Sequence, residues 1–154
     1  MTSNDEEVAR TIAVRLLDAK PRTVAELRTA LAKRNVPTVA AEAVITRFIE
    51  VGLLNDGAYA EALTATRSRT QLRGRRRISQ ELRQRGVDDE TIAAAIESLD
   101  PEAELAAARQ AAERKARSLG GLDPMVAKRR LYGALERRGF SFDVVRQAAD
   151  EVLG

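Results

Sequence analysis

Residues 72–87 read LRGRRRISQELRQRGV: a basic helix, a stop at Gly86 and an apolar residue just past it. The pattern occurs three times. Leu27, Leu31 and Val36 are spaced by four and five residues, as are Ile78, Leu82 and Val87, and again Leu131, Leu135 and Phe140. An arginine and a turn residue precede the last member of each set: Arg34-Asn35, Arg85-Gly86 and Arg138-Gly139. Past the turn, Ala41, Ile45 and Phe48 correspond to Ile92, Ile96 and Leu99, and then to Val145, Ala149 and Val152. An offset of 51 and then 53 residues, kept over two helices, marks an internal repeat.

Composition sets the outer bounds. A chain of 154 residues with 44% apolar residues can bury a core, and 3% aromatics with abundant Ala, Leu, Arg and Glu favours helices over sheets. There is no Cys, so disulfides and thiol chemistry are excluded, and a reducing compartment is compatible. The N-terminus, MTSNDEEVAR, has no apolar signal-like core, and no apolar run approaches membrane-spanning length. The expectation is a soluble, cytoplasmic protein without membrane contact.

Start and stop signals then divide the chain. A first helix over about residues 6–19 carries Val8, Ile12 and Leu16 as its apolar stripe, and Lys20-Pro21 stops it. Thr23 with Glu26 three residues on predicts a capping box. A third helix follows Pro37 and ends at Gly52, and Asn55-Asp56 starts the next set. The helix carrying Tyr59, Leu63 and Thr66 as its stripe is broken by Gly74. Asp100-Pro101 and Asp123-Pro124 mark two further starts, Gly120-Gly121 a stop, and Ser141 the last cap. The expected fold is all-α: three tandem three-helix repeats, 6–54, 55–99 and 100–153, stacked into an elongated, curved array.

Charge is divided unevenly. The second helices of the sets, 23–34, 75–86 and 124–138, carry 13 Lys or Arg against three acids, whereas the third helices carry two Arg against nine acids. From Arg67 to Arg77 there are six arginines in eleven residues and no acid, a local concentration of positive potential despite a net charge of only +3. Arg34, Arg85 and Arg138 sit at helix C-termini, where a cation complements the dipole, so a structural role explains them. Arg76 and Arg83 lie opposite Ile78 and Leu82, and Arg129 matches Arg76, so a ligand or partner accounts for them at least as well as a solvated face. Arg75, Arg76 and Arg77 open their helix, where positive charge opposes the dipole; their loss is expected not to weaken the fold.

Two other classes fit less well. A helix-turn-helix reader would place Asp88, Asp89 and Glu90 first into the groove, where phosphates repel them. These carboxylates are read as caps instead. An enzyme would lack both His and Cys, and no phosphate-cradling glycine motif is present, so no catalytic residue, metal or cofactor is assigned. Phe48, Phe140 and Tyr59 fall on inward positions, leaving little for base stacking.

The segments LLDAKPRTVAELRTAL (residues 16–31), GLLNDGAYA (52–60), GRRRISQELRQRGV (74–87) and LERRGFSFDVV (135–145), in this order and spacing, resemble the RecX family of bacterial regulators of the RecA recombinase. The resemblance runs from about Arg10 to Leu153. It implies tandem three-helix repeats, binding to RecA nucleoprotein filaments, suppression of RecA ATPase, strand-exchange and co-protease activities, and so a role in recombination, DNA repair and the SOS response. Asn35 and Asn55 depart from the family pattern but suit a left-handed turn and a cap; Lys20-Pro21 stands where an arginine is often seen. The contacting residues expected on this reading are Arg67, Arg69, Arg73, Arg75, Arg76, Arg77, Arg83, Lys128, Arg129 and Arg130. A monomer is expected, with single- or double-stranded DNA as a weak second partner. The competing reading is a helical repeat protein that binds nucleic-acid backbone with no RecA-specific role.

Overall fold

The computed structural model describes residues 3–154, and among them the chain is helical throughout, with no strand. The helices are α1 (Ser3–Ala19), α2 (Val24–Lys33), α3 (Thr38–Glu50), α4 (Asp56–Arg69), α5 (Arg75–Gln84), α6 (Asp89–Glu97), α7 (Pro101–Ala116), α8 (Pro124–Arg137) and α9 (Phe142–Leu153). They sort into two compact units. One takes the chain up to Ala60 together with Leu82–Ile92; the other takes Glu61–Glu81 with Ala93–Gly154. The middle repeat therefore contributes packing to both units.

The recurrent turn of the sequence is one hydrogen-bonded motif made three times. Val36, Val87 and Phe140 each donate their amide to Leu31, Leu82 and Leu135, at 3.1, 3.1 and 3.3 Å. The residue before each lies in the left-handed region: Asn35 at φ 61°, Gly86 at 86° and Gly139 at 95°. This is a Schellman ending, in which the carbonyls left over at a helix C-terminus are satisfied by backbone folding back, and the following apolar residue covers the joint. Asn35 adopts the conformation expected of it.

In the first unit α1 and α2 pack on α3 around Leu27, Leu31, Val44, Ile45 and Phe48; in the second α8 and α9 pack with α7 around Leu131, Leu135, Phe140 and Val145. In α1 and α4 the inward face departs from the predicted stripe, with only Leu16 buried where it was expected. In α1 the inward positions are Ala9, Ala13 and Leu16, while Val8 is 49% exposed and Ile12 half-buried. In α4 they are Ala60, Thr64 and Ser68, with Tyr59 and Leu63 only half-buried and Thr66 exposed. The cause is close approach: small side chains bury most completely where backbones come near, so hydropathy misplaces the face.

Each unit also holds a joint between two second helices. In the first, Thr23 forms the expected capping box with Glu26, at 3.0 Å in both directions. Its hydroxyl then donates to the Arg85 carbonyl at 2.7 Å, so the turn after α5 sits on the start of α2. Val24, the first residue of α2, donates its amide to Asp56 Oδ1 at 2.9 Å. In the second unit the Gly74 amide donates to the Arg138 carbonyl at 2.7 Å and the Arg76 amide to the Gly139 carbonyl at 3.1 Å. Arg75, the first residue of α5, donates its amide to Glu104 Oε2 at 3.2 Å. In both joints the positive end of one helix dipole meets carbonyls at the negative end of another, and a carboxylate of the following repeat caps the first amide.

Two predictions follow from these contacts. A Cβ at Gly74 would overlap the Gly139 carbonyl carbon and the Phe140 amide nitrogen, so Gly74→Ala should cost about 2 kcal/mol in urea denaturation, the scale of overpacking. At Asp56, burial raises the carboxyl pKa, and the nearby Asp88 and Glu26 add to the rise, against the Val24 amide, which lowers it. A raised carboxyl pKa means that the folded state holds its proton more tightly. Wild-type stability should therefore fall, relative to Asp56→Asn, as pH rises above the unfolded value near 3.8. Asp56→Asn keeps the acceptor and should match or exceed wild type at pH 7, whereas Asp56→Ala should lose about 1 kcal/mol with the cap.

Candidate functional site

The arginine tract that dominates the sequence is not one surface. Arg67 forms a two-pronged pair with Glu81, at 2.8 and 2.7 Å, and Arg73 reaches the same carboxylate at 3.2 Å. Arg75 is held more firmly still. Its guanidinium meets Glu104 at 3.0 Å and donates to the carbonyls of Ile96 and Leu99, at 2.9 and 2.7 Å, near the end of α6. Glu104 is only 4% exposed. Arg75 thus ties α5, α6 and α7 together, and the expectation that the whole arginine triplet can be lost without cost is corrected at this position. A capped buried carboxylate with a single guanidinium partner makes that arginine part of the fold.

The remaining predicted residues are more accessible. Arg76 and Arg77 are exposed and donate to the Glu136 and Arg137 carbonyls, at 3.3 and 3.2 Å, as outer parts of the α5–α8 joint. Arg83 makes an exposed pair with Asp89 at 3.3 Å. Lys128 lies 3.9 Å from Asp150 and over the Tyr132 ring. Arg69, Arg129 and Arg130 are exposed with no internal acceptor among the described residues. Of the arginines at helix C-termini, Arg34 acts locally on the Ala30 carbonyl, whereas Arg85 reaches Glu26 and Arg138 the Gln71 carbonyl across the joints. Asp88 accepts the Thr91 amide at 2.8 Å, which lowers its pKa and makes it the cap expected of it.

The second unit gathers cations that the sequence reading missed. A groove of about 580 Å³ at the α5–α8 joint is lined by Arg73, Arg77, Arg114, Lys115, Arg137 and Arg138, with no carboxylate in its wall. A second depression, about 470 Å³, shares Lys115 and Arg137 and adds Arg129 and Arg130. Arg114 and Lys115 come from the last turn of α7. Their signal was ERKARS, residues 113–118, which a count restricted to the second helices passes over. Among the described residues no cluster of His, Cys, Asp or Glu could hold a metal ion, and no helix is long and apolar enough to cross a membrane.

Fold and surface together define a helical repeat protein whose second unit gathers cations in two depressions. Sequence profiles described as the first, second and third three-helix domains of RecX match residues 9–48, 55–96 and 102–149. The chain is 46% identical over 149 residues to the regulatory protein RecX of Streptomyces coelicolor, covering 94% of this chain and 79% of that one. It is 43% identical over 145 residues to that of Thermobifida fusca, covering 94% and 78%. The crystal structure of RecX from Lactobacillus salivarius superposes with a TM-score of 0.92 over 98% of both chains, at 22% identity. The chain belongs to the RecX family of regulatory proteins.

The division between built-in and available arginines can be measured. Arg75→Ala leaves Glu104 buried without its counter-ion and should lower stability by about 2–4 kcal/mol, the range for breaking a buried pair, reduced for partial exposure of the arginine. Arg130→Ala should change it by less than about 0.5 kcal/mol. Thermal and urea unfolding of the two variants checks both values.

Proposed function

We propose that this chain is a non-enzymatic, monomeric, cytoplasmic regulator of recombination and the SOS response. It binds RecA nucleoprotein filaments through its basic surface and lowers RecA ATPase, strand-exchange and co-protease activities. The observation that carries this is the concentration of cations without internal counter-ions, in α7 and α8 above all, on a chain of the RecX family. Within the residues assigned from sequence, Arg69, Arg76, Arg77, Arg83, Lys128, Arg129 and Arg130 are the contacting set. Arg67, Arg73 and Arg75 support it, since their partners Glu81 and Glu104 hold them in place. Exposed charges of one sign guide association with an anionic assembly and each adds modestly to affinity. Repeats 55–99 and 100–153 both offer such positions along one chain, so one molecule engages more than one filament subunit.

The test is DNA-dependent ATP hydrolysis by RecA. Protein at substoichiometric ratio to RecA should lower the rate, and reversal of Lys128, Arg129 and Arg130 to Glu should weaken that inhibition several-fold. Reversal of Glu90 and Glu97 on α6 should not. Filaments that stay intact and hydrolyse ATP at the full rate in a large excess of the protein would rule the reading out and leave general backbone binding. Sedimentation of the protein with RecA–DNA filaments, against DNA alone at the same salt, separates those two.

A further inference from the structure

The second unit holds a groove that neither the packing nor the basic surface uses. From its lining we infer a binding site for a small aliphatic amine, held by its ammonium group and its hydrocarbon tail. The groove, of about 620 Å³, lies between α4 and α7, and the turn after α6 adds Ser98, Leu99 and Asp100 to its wall. That size falls within the range small ligands occupy. The α4 wall is one helix face, made of Glu61, Thr64, Ala65, Ser68 and Arg69. The offset of 51 that relates the first two repeats sets Ala13 at Thr64 and Leu17 at Ser68. In α1 those positions are apolar and pack in the first core. In α4 both carry hydroxyls, although they are only 2% and 3% exposed. Thr64 Oγ1 is buried without a hydrogen-bond partner. An unpartnered buried hydroxyl works against folding, so a contact made with a ligand explains it better than packing does.

The chemistry of the lining selects the ligand. Ala65, Leu99, Ala103, Ala106 and Ala107 offer an apolar surface to a short hydrocarbon. The carboxylates of Glu61, Asp100 and Glu113 stand beside two arginines, of which Arg109 is already paired with Glu151 at 2.6 Å. Arg69 alone is left against three acids, in the same unit as two depressions lined by cations. The groove therefore favours a cation. Glu61 and Thr64 are three residues apart on α4 and so are neighbours on its surface. An ammonium group has three donors and no acceptor, so it can serve the Glu61 carboxylate and the Thr64 hydroxyl together. Threonine has two χ1 wells in a helix, and a turn between them presents the oxygen to the groove. The tail then lies over the alanines of α7.

This site stands apart from the RecA reading and is tested without RecA. Methyl NMR of the full-length chain, titrated with n-pentylammonium chloride at constant ionic strength, should show saturable shifts at Ala65, Ala103, Ala106 and Ala107. The neutral n-pentanol should bind about fivefold more weakly, the scale of one partly exposed ion pair, and n-pentanoate should not saturate. Thr64→Val removes the hydroxyl and keeps the shape. It should melt at or above wild type, since no internal hydrogen bond is lost, and bind the amine about tenfold more weakly. Glu61→Gln, on an exposed side chain, should weaken binding about threefold. Glu136→Gln, on α8 and outside the groove, should leave it unchanged. If Thr64→Val disturbs folding, Glu61→Gln decides. Equal binding of n-pentanol and the amine would overturn the inference, as would amine binding that Glu61→Gln leaves intact. Tighter binding of Nα-acetyl-lysine methylamide than of n-pentylammonium would overturn it too, in favour of a lysine side chain from a protein.

Discussion

A helix cannot satisfy the amides of its own first turn, and this chain meets that constraint with groups from the next repeat. The first amide of α2 finds Asp56, in the first turn of α4, and the first amide of α5 finds Glu104 on α7. The turns after α5 and α8 supply carbonyls or accept a hydroxyl at the same two helix starts. A repeat of this kind has its polar ends completed by its neighbour, so its stability is shared with that neighbour and not held alone. The start of α8 is built differently. Its first residue is Pro124, which has no amide to satisfy, and Asp123 caps the Met125 amide at 2.8 Å. Chemistry local to the sequence there replaces what another repeat supplies at α2 and α5.

What was legible in the sequence was whatever local chemistry fixes. Three apolar residues spaced by four and five, with Asn35, Gly86 or Gly139 before the last, are the hydrogen-bond pattern of the turn written in residues, and so they located three helix ends. Thr23 and Glu26 specify a capping box within four residues. Beyond Leu16, the inward faces of α1 and α4 were not legible, because they are made of Ala9, Ala13, Ala60, Thr64 and Ser68. Such residues bury because they let backbones approach, and a scale that ranks side chains by hydropathy gives that no weight.

The candidate site was half legible, for a reason of range. Arg75 and Glu104 are 29 residues apart, and nothing local to either distinguishes an arginine that holds three helices together from one facing solvent. Charge counting therefore overrated the tract from Arg67 to Arg77, where Glu81 and Glu104 neutralise three of the six arginines. It underrated the end of α7, where Arg114 and Lys115 have no acid beside them in the groove. The uncompensated charge thus belongs mainly to α7 and α8.

Site and fold meet at one contact. Arg77 and Arg138 face the same groove because the Gly74 amide bonds the Arg138 carbonyl and the Arg76 amide bonds the Gly139 carbonyl. Backbone hydrogen bonds and close glycine packing, rather than ion pairs, hold these like charges together. Arg138 sits where the α8 dipole favours a cation, and Arg77 near the start of α5, where it does not.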